Sequence, residues 1–487
     1  MRRFLLLLLF AALTLLAVLL VNTLRLPNHQ LGAGPAAPAA AVAPDSALAH
    51  LAGALRIPTV SRTRYADTDT VPFDQLQAYL QRTFPLVHQR LKLQKVNRYG
   101  LLYEWPGTDA ARKPLLLLAH QDVVPVLPGT ESQWTRPPFA GQQAGGYLYG
   151  RGALDDKLNV LGQLEAVEAL LRAGYQPRRT VLLAYGHDEE TLGLRGAAAL
   201  AALLKTQHPQ LAMVLDEGGL VKADGVAGLA QPVALVGISE KGYLTLELSA
   251  RGPGGHSSMP PALTSVGRVA AAVAKLEAEP FPASLDGGVS GLLAYLAPAV
   301  PFGKRVVFAN QWLFGSLIKK SLAATPSGNA ALRTTTAPTI IRGGEKDNVL
   351  PDQATATVNF RLLPGDSVGA VIRRVKALIA DPQIQVRTVG EGRAAAPVSG
   401  TDNAAFATLT RTIKSVFPQA LVAPYVVVGA TDARAYTSLC PRATYRFMPV
   451  LMDQAAIESL HGPNERLRPG AYQDVIRFYA ALIRNTQ

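Results

Sequence analysis

Three short apolar runs each end in side chains that bind protons or metals. Pro114 to Ala119 ends in His120-Gln121-Asp122. Thr180 to Tyr185 leads into His187-Asp188-Glu189-Glu190, and Ala212 to Leu215 ends in Asp216-Glu217. Between the first two lies Gly150-Arg151-Gly152-Ala153-Leu154-Asp155-Asp156-Lys157, a glycine loop that opens a helix. In open parallel α/β sheets, sites form outside the carboxyl ends of the strands. His and acidic residues from distant parts of the chain should therefore converge on one crevice. A buried group of carboxylates repels itself unless something positive sits among them. Divalent cations meet that need, and His with Asp/Glu ligands suit zinc. Singly, each piece means little. A strand-end His is commonly a hydrogen-bonded surface or core residue. A Glu-Glu pair is ordinarily a solvated turn. The Gly-x-Gly lacks both the Gly-Lys-Ser/Thr and the third spaced glycine of phosphate loops. The ordered set is far more specific than any member.

The elements that must position these residues read as α/β. Wholly apolar runs suit strands buried on both faces. Lys157 to Gly174 has helical spacing, with Leu158, Leu161, Leu164, Val167, Leu170 and Leu171 on one side. Alternating strands and helices imply a mostly parallel, mixed sheet flanked by helices. The pattern changes near Gly242, where Tyr243 to Ala250 alternates polar and apolar, as does Ala354 to Leu362. Ser367 to Ala380 is helical. This predicts an inserted α+β lid domain over 241–390, carrying a poorly patterned insertion at 286–336. The catalytic domain is then split into 45–240 and 391–487.

Phe4 to Val21 is apolar and uncharged, and Arg2 and Arg3 precede it. That length spans a bilayer core, with basic residues on the cytoplasmic side. A membrane anchor in residues 1–25 is the preferred reading and a signal peptide is the rival. Either places the body outside the cytoplasm. Ala41-Val42-Ala43 is the late cleavage candidate. Residues 26–44, rich in Ala, Pro and Gly, read as a tether. The formal charge is +13, but Lys and Arg are scattered without interleaved aromatics, so no nucleic-acid partner is expected. Cys440, the one cysteine, sits in an apolar setting and reads as a buried small hydrophobe.

These ordered signatures resemble the aminoacylase/carboxypeptidase family of co-catalytic zinc hydrolases, from about residue 50 to the C-terminus. Gly150 to Lys157, Asp216-Glu217-Gly218-Gly219, Gly429-Ala430-Thr431-Asp432-Ala433-Arg434 and His461-Gly462-Pro463-Asn464-Glu465 look most like carboxypeptidase S and the secreted N-acyl-amino-acid synthase/hydrolases. The resemblance implies a zinc-exopeptidase-like fold and two Zn2+ ions, with Co2+ or Mn2+ as substitutes. His120 would bind one zinc, with Asp122 fixing its tautomer. Asp155 would bridge both metals, across a peptide to Asp156 that is often cis in the family. Glu190 and His461 would hold the second zinc. Asp216 would complete the first, with Glu217 able to take that part. Glu189 would be the general base. His256, in Gly252-Pro253-Gly254-Gly255-His256, would stabilise an oxyanion, commonly in the partner subunit's site. Asn348 and Arg361 match lid motifs that touch substrate. Arg434 would clamp a substrate carboxylate; a structural ion pair is its alternative. The family is usually dimeric, and the 286–336 insertion could form or block that surface.

Hydrolysis of small peptides or N-acyl amino acids, or the reverse condensation, is the leading function. An aminopeptidase shares the metal chemistry but needs an acidic pocket for a free amine, where this chain offers Arg434 and Arg361. A catalytically dead, membrane-tethered binding protein would show lost ligands, and no ligand position is missing.

Overall fold

The computed structural model describes residues 1–35, 44–226, 228–286 and 288–487. The wholly apolar runs build the centre of the main sheet. Leu115–His120, Val181–Gly186 and Met213–Asp216 are buried along their full length, as parallel strands covered on both faces must be. They lie side by side and parallel, with Leu115–His120 in the middle, and Thr444–Arg446 continues parallel beyond Met213–Asp216. Gly100–Trp105 and Lys92–Val96 extend one flank as antiparallel strands. The other flank mixes both senses: Val233–Glu240 runs antiparallel to Thr444–Arg446 and pairs in parallel with Leu421–Val427. Among the described residues this makes one ten-stranded mixed sheet with a parallel centre.

Helix Lys157–Arg172 crosses beneath this centre and is buried from Lys157 to Leu170. It packs against Leu115–His120 and against the C-terminal helix Pro469–Asn485. Gly174, at φ +70°, turns the chain away, a conformation that disfavours side chains with a Cβ. Each leucine fully buried here contributes roughly 1.5–3 kcal/mol relative to exposure.

The stretch expected as a lid holds a second, antiparallel sheet. Gly242–Arg251 pairs antiparallel with both Gln353–Leu362 and Ile384–Arg393, and Thr335–Gly343 covers the outer edge of Gln353–Leu362. Leu244, Leu246 and Leu248 face a separate core beneath helices Ser265–Ala278 and Val368–Ile379. Those helices start on side-chain caps, Thr264 accepting from the Gly267 amide and Ser367 from the Ala370 amide. The last strand runs on to Arg393, beyond the boundary drawn at 390. The described residues of the poorly patterned stretch 286–336 include four α-helices, Val289–Leu296, Phe302–Ala309, Gln311–Ala323 and Pro326–Leu332. They close on a small core of Val289, Leu293, Ile318 and Leu332.

Arg2–Leu24 is one helix long and apolar enough to cross a membrane. The tether expected over 26–44 differs in its described part. The Gln30 side chain donates to the carbonyls of Tyr295 and Val422 and accepts from the Val422 amide, and the Gly34 amide donates to the Arg411 carbonyl. Polar backbone groups at the rim of the body offered these partners, so residues 28–34 lie on the surface of the body. Residues 36–43, including Ala41-Val42-Ala43, lie outside the described residues. Cys440 is buried, and burial pushes its thiol up to about 11.

Candidate metal centre

The strand ends deliver their side chains to one place. His120 closes Leu115–His120, and its Nε2 lies 2.9 Å from Asp155 Oδ1. The other oxygen of Asp155 lies 2.9 Å from His461 Nε2. One carboxylate thus stands between two imidazoles that are far apart in sequence. Glu190 Oε1 lies 3.5 Å from His461 Nε2, and Glu217 Oε1 lies 3.6 Å from His120 Nε2. The Asp155–Asp156 peptide is cis.

Asp122 acts from behind. Its Oδ1 is 3.3 Å from His120 Nδ1, and its carboxylate also accepts from Ser61 Oγ and the amides of Glu189 and Glu190. One buried carboxylate therefore fixes the His120 ring and the loop that carries both glutamates. Asp156 accepts from the His120 amide and from Asn159, a structural role.

Glu465, a residue with no expected role, is held by a dense set of partners. Its buried carboxylate accepts from the amides of Gly152, Leu154 and Asp155 and from Arg151 Nη1. Arg151 Nη2 in turn donates to the carbonyls of His461 and Gly462. The Asp155 loop and the His461 loop are thereby tied into one unit. His461 needs this support, because its φ of +59° costs a non-glycine residue about 1–2 kcal/mol. The signal was its place in the His461-to-Glu465 run, but nothing local says that its partners are amides some 310 residues earlier.

Asp216 departs from the ligand set expected of it. Its carboxylate turns away from His120 and accepts from the amides of Glu217 and Ala433. Glu217 takes the place beside His120. Side chains alternate along a strand, and Met213–Asp216 ends at Asp216, so the next residue leaves the strand and faces the crevice. Gly219 then passes so close to the carbonyls of Leu235 and Arg446 that a Cβ would sit 2.3 and 2.4 Å from them.

The clamp expected at Arg434 is also taken. Its Nε donates to Glu240 Oε1 at 2.7 Å, and its Nη2 to the Lys241 carbonyl at 2.8 Å. Glu240 is fully buried and also accepts from Arg446 and Thr431. A carboxylate so deep needs cationic partners, and this gives Arg434 the structural ion pair weighed against the clamp. Arg361, on Gln353–Leu362, makes no ion pair among the described residues; its guanidinium lies 4.8 Å from the centre of the Tyr243 ring. Burial lowers its pKa, and the charge of Arg434 lowers it further. His256 and Asn348 lie together elsewhere in the lid. They are exposed at the short ribbon of Gly255–His256 and Val349–Leu350, where Ser257 donates to the Asn348 carbonyl. Neither hydrogen-bonds to the His120 and Asp155 group. His187 is buried but outside that group, with both ring nitrogens lacking partners.

The electrostatics of the cluster are those of crowded acids. Burial pushes Glu217 up to about 8, and the neighbouring Asp155 adds to it. Burial likewise raises Glu189 and Glu190. Asp155 and Glu190 hold His461 protonated up to about 10. Glu190 Oε1 is buried, and its approach to His461 Nε2, at 3.5 Å, is long. Ligand atoms of His120, Asp155 and Glu190 lie within 4.8 Å of one another, and so do those of His120, Asp156 and Glu217. Crowded acids and the convergence of His120, Asp155 and Glu190 fit a centre built for cations.

The family model for peptidase family M20/M25/M40 matches residues 116–485. The N-fatty-acyl-amino acid synthase/hydrolase PM20D1 of Xenopus tropicalis is 41% identical over 440 residues, covering 90% of this chain and 85% of the relative. Carboxypeptidase S of Saccharomyces cerevisiae is 33% identical, covering 91% of this chain and 84% of the relative. The crystal structure of the M20 family metallo-carboxypeptidase Sso-CP2 from Sulfolobus solfataricus superposes with a TM-score of 0.67 at 20% identity, over 90% of this chain and 98% of that one, and shows a shared fold.

Proposed function

The chain belongs to peptidase family M20/M25/M40, and from that premise we propose that it hydrolyses the amide bond of N-acyl amino acids or of C-terminal peptide residues with two zinc ions. Membership makes it a hydrolase of the metal-dependent, amide-cleaving kind. The observation that carries the finer reading is Asp155, with one oxygen 2.9 Å from His120 and the other 2.9 Å from His461. A carboxylate so placed would belong to the ligand sets of both cations. His120, Asp155 and Glu217 would hold one, and Asp155, Glu190 and His461 the other. When bound, the ions would acidify the attacking water and polarise the scissile carbonyl.

The remaining work falls to this chain's own groups. Glu189 takes the proton of the attacking water and returns it to the leaving amine. Its pKa is raised by burial first and then by the charges of Glu217, Asp432 and Glu190, against the pull of His120. A base that holds its proton more firmly than an ordinary carboxylate is suited to both steps. Asp122 keeps the His120 tautomer and the Glu189 loop in register. Arg361, free of ion pairs among the described residues, takes the substrate carboxylate, with Arg434 fixed beside it by Glu240. Asn348 and His256 would serve only after lid or subunit movement.

The relatives named for N-fatty-acyl amino acids and for carboxypeptidase S divide the substrate choice. A panel of N-fatty-acyl amino acids, N-blocked dipeptides and C-blocked dipeptides with free amines tests it. Turnover is expected on the first two and little on the third. Preference for free-amine, C-blocked dipeptides would instead make this an aminopeptidase. Arg361→Ala should raise KM for carboxylate-bearing substrates more than it lowers kcat.

A further inference from the structure

The insertion helices leave an apolar face uncovered. On Gln311–Ala323, Trp312, Leu313 and Leu317 are exposed along one side, at 63, 43 and 57%. Phe302, at the start of the preceding helix Phe302–Ala309, is 52% exposed. An isolated surface leucine needs no explanation, but this stripe has a fixed relation to the N-terminal helix. Asn310, fully buried, joins the two: its Oδ1 accepts from Asn22 Nδ2 at 2.9 Å, and its Nδ2 lies 3.2 Å from the Leu19 carbonyl. Thr23 is buried in the same contact. The body therefore grips only the last turns of Arg2–Leu24, and the helix is exposed from Phe4 to Leu16. About 18 residues at 1.5 Å each cover the bilayer core, so the gripped end would lie at the lipid–water boundary.

Trp312 sits at that level. Its Nε1 donates to the same Asn310 oxygen at 3.3 Å while most of its ring is exposed. A tryptophan with its polar edge tied and its apolar face free is the residue type concentrated at bilayer interfaces. Lys304, Lys319 and Lys320 lie on the same two helices, Lys320 on the exposed side of its helix. They would complement anionic headgroups.

We propose that the Phe302, Trp312, Leu313 and Leu317 face seats in the outer layer of the bilayer that the N-terminal helix spans, giving the body a second attachment and a fixed tilt. This rests on retention of that helix and is independent of the metal chemistry.

The chain has three tryptophans, and Trp105 and Trp134 are buried, so Trp312 reports on this face. The full chain is placed in vesicles of ordinary or brominated phosphatidylcholine, with intact mass confirming that the N-terminal helix is present. The expected result is strong quenching of Trp312 emission by the brominated chains, absent in Trp312→Phe. Leu313→Lys with Leu317→Lys should at least halve that quenching, with hydrolysis of a soluble substrate unchanged. Equal emission in both vesicles, with Trp312 open to an aqueous quencher or shielded only as protein concentration rises, would overturn the proposal; the last case would assign the face to a second copy.

Discussion

Glu189 and Glu190 are neighbours with different proposed tasks, and the difference lies in what each can reach. Glu190 is turned toward His461, and Glu189 toward the crevice among Glu217, Asp432 and His120. Glu189→Gln removes the proton acceptor and keeps the shape. It should lower kcat by about 10²–10⁴-fold with metal content unchanged by elemental analysis. A variant that turned over normally would end the base assignment. The exchange of Glu217 for Asp216 is testable in the same way. Glu217→Ala should lose one metal equivalent. Asp216→Asn should keep both and lower the melting temperature, since a buried acceptor of two amides is weakened by about 1–2 kcal/mol. The opposite pattern would restore Asp216 as a ligand. The sequence could not separate these two, because the turn that re-aims the chain falls between adjacent acids at a strand end.

At the scale of elements, two loops must keep register. Glu465 and Arg151 do this, joining the loop of Asp155 to that of His461. Glu465→Ala strands Arg151 inside the protein, and breaking such a buried pair costs about 3–5 kcal/mol. A large fall in melting temperature is expected, with weakened affinity at the His461 side measured by metal titration. An unchanged melting curve would remove Glu465 from this role. Strands and their acidic ends were legible because a strand buried on both faces is a continuous apolar word, and Leu115–His120 and Val181–Gly186 are such words. The helices between 286 and 336 were not legible, since each is short and only half-buried. The structural pairing of Arg434 was hidden for another reason: Glu240 lies 194 positions away.

Across the whole molecule, the sheet gathers acids whose charge protons or metal cations can offset, and this couples metal binding to pH. In the metal-free site His461 stays protonated up to about 10, held by Asp155 and Glu190, and Glu217 up to about 8, held chiefly by burial. At pH 7 both groups carry protons that a metal must displace. Binding should release protons, and affinity should rise with pH until Glu217 and then His461 are free. Calorimetry in buffers of different ionisation enthalpy reads this release. Proton uptake, or affinity independent of pH, would contradict it. The second, antiparallel sheet was legible from the change in period near Gly242, while the docking of residues 28–34 onto the body was not, because a Pro/Gly-rich stretch carries no pattern that names its partners.

Metal content measured together with turnover tests the two-cation centre most directly. The full chain, purified without chelator, should carry about two zinc ions. Chelation should abolish hydrolysis of N-acyl amino acids, and re-addition should restore it as the second equivalent binds. Undiminished hydrolysis by chelated, metal-free protein would contradict the account, and so would full activity at a single bound ion.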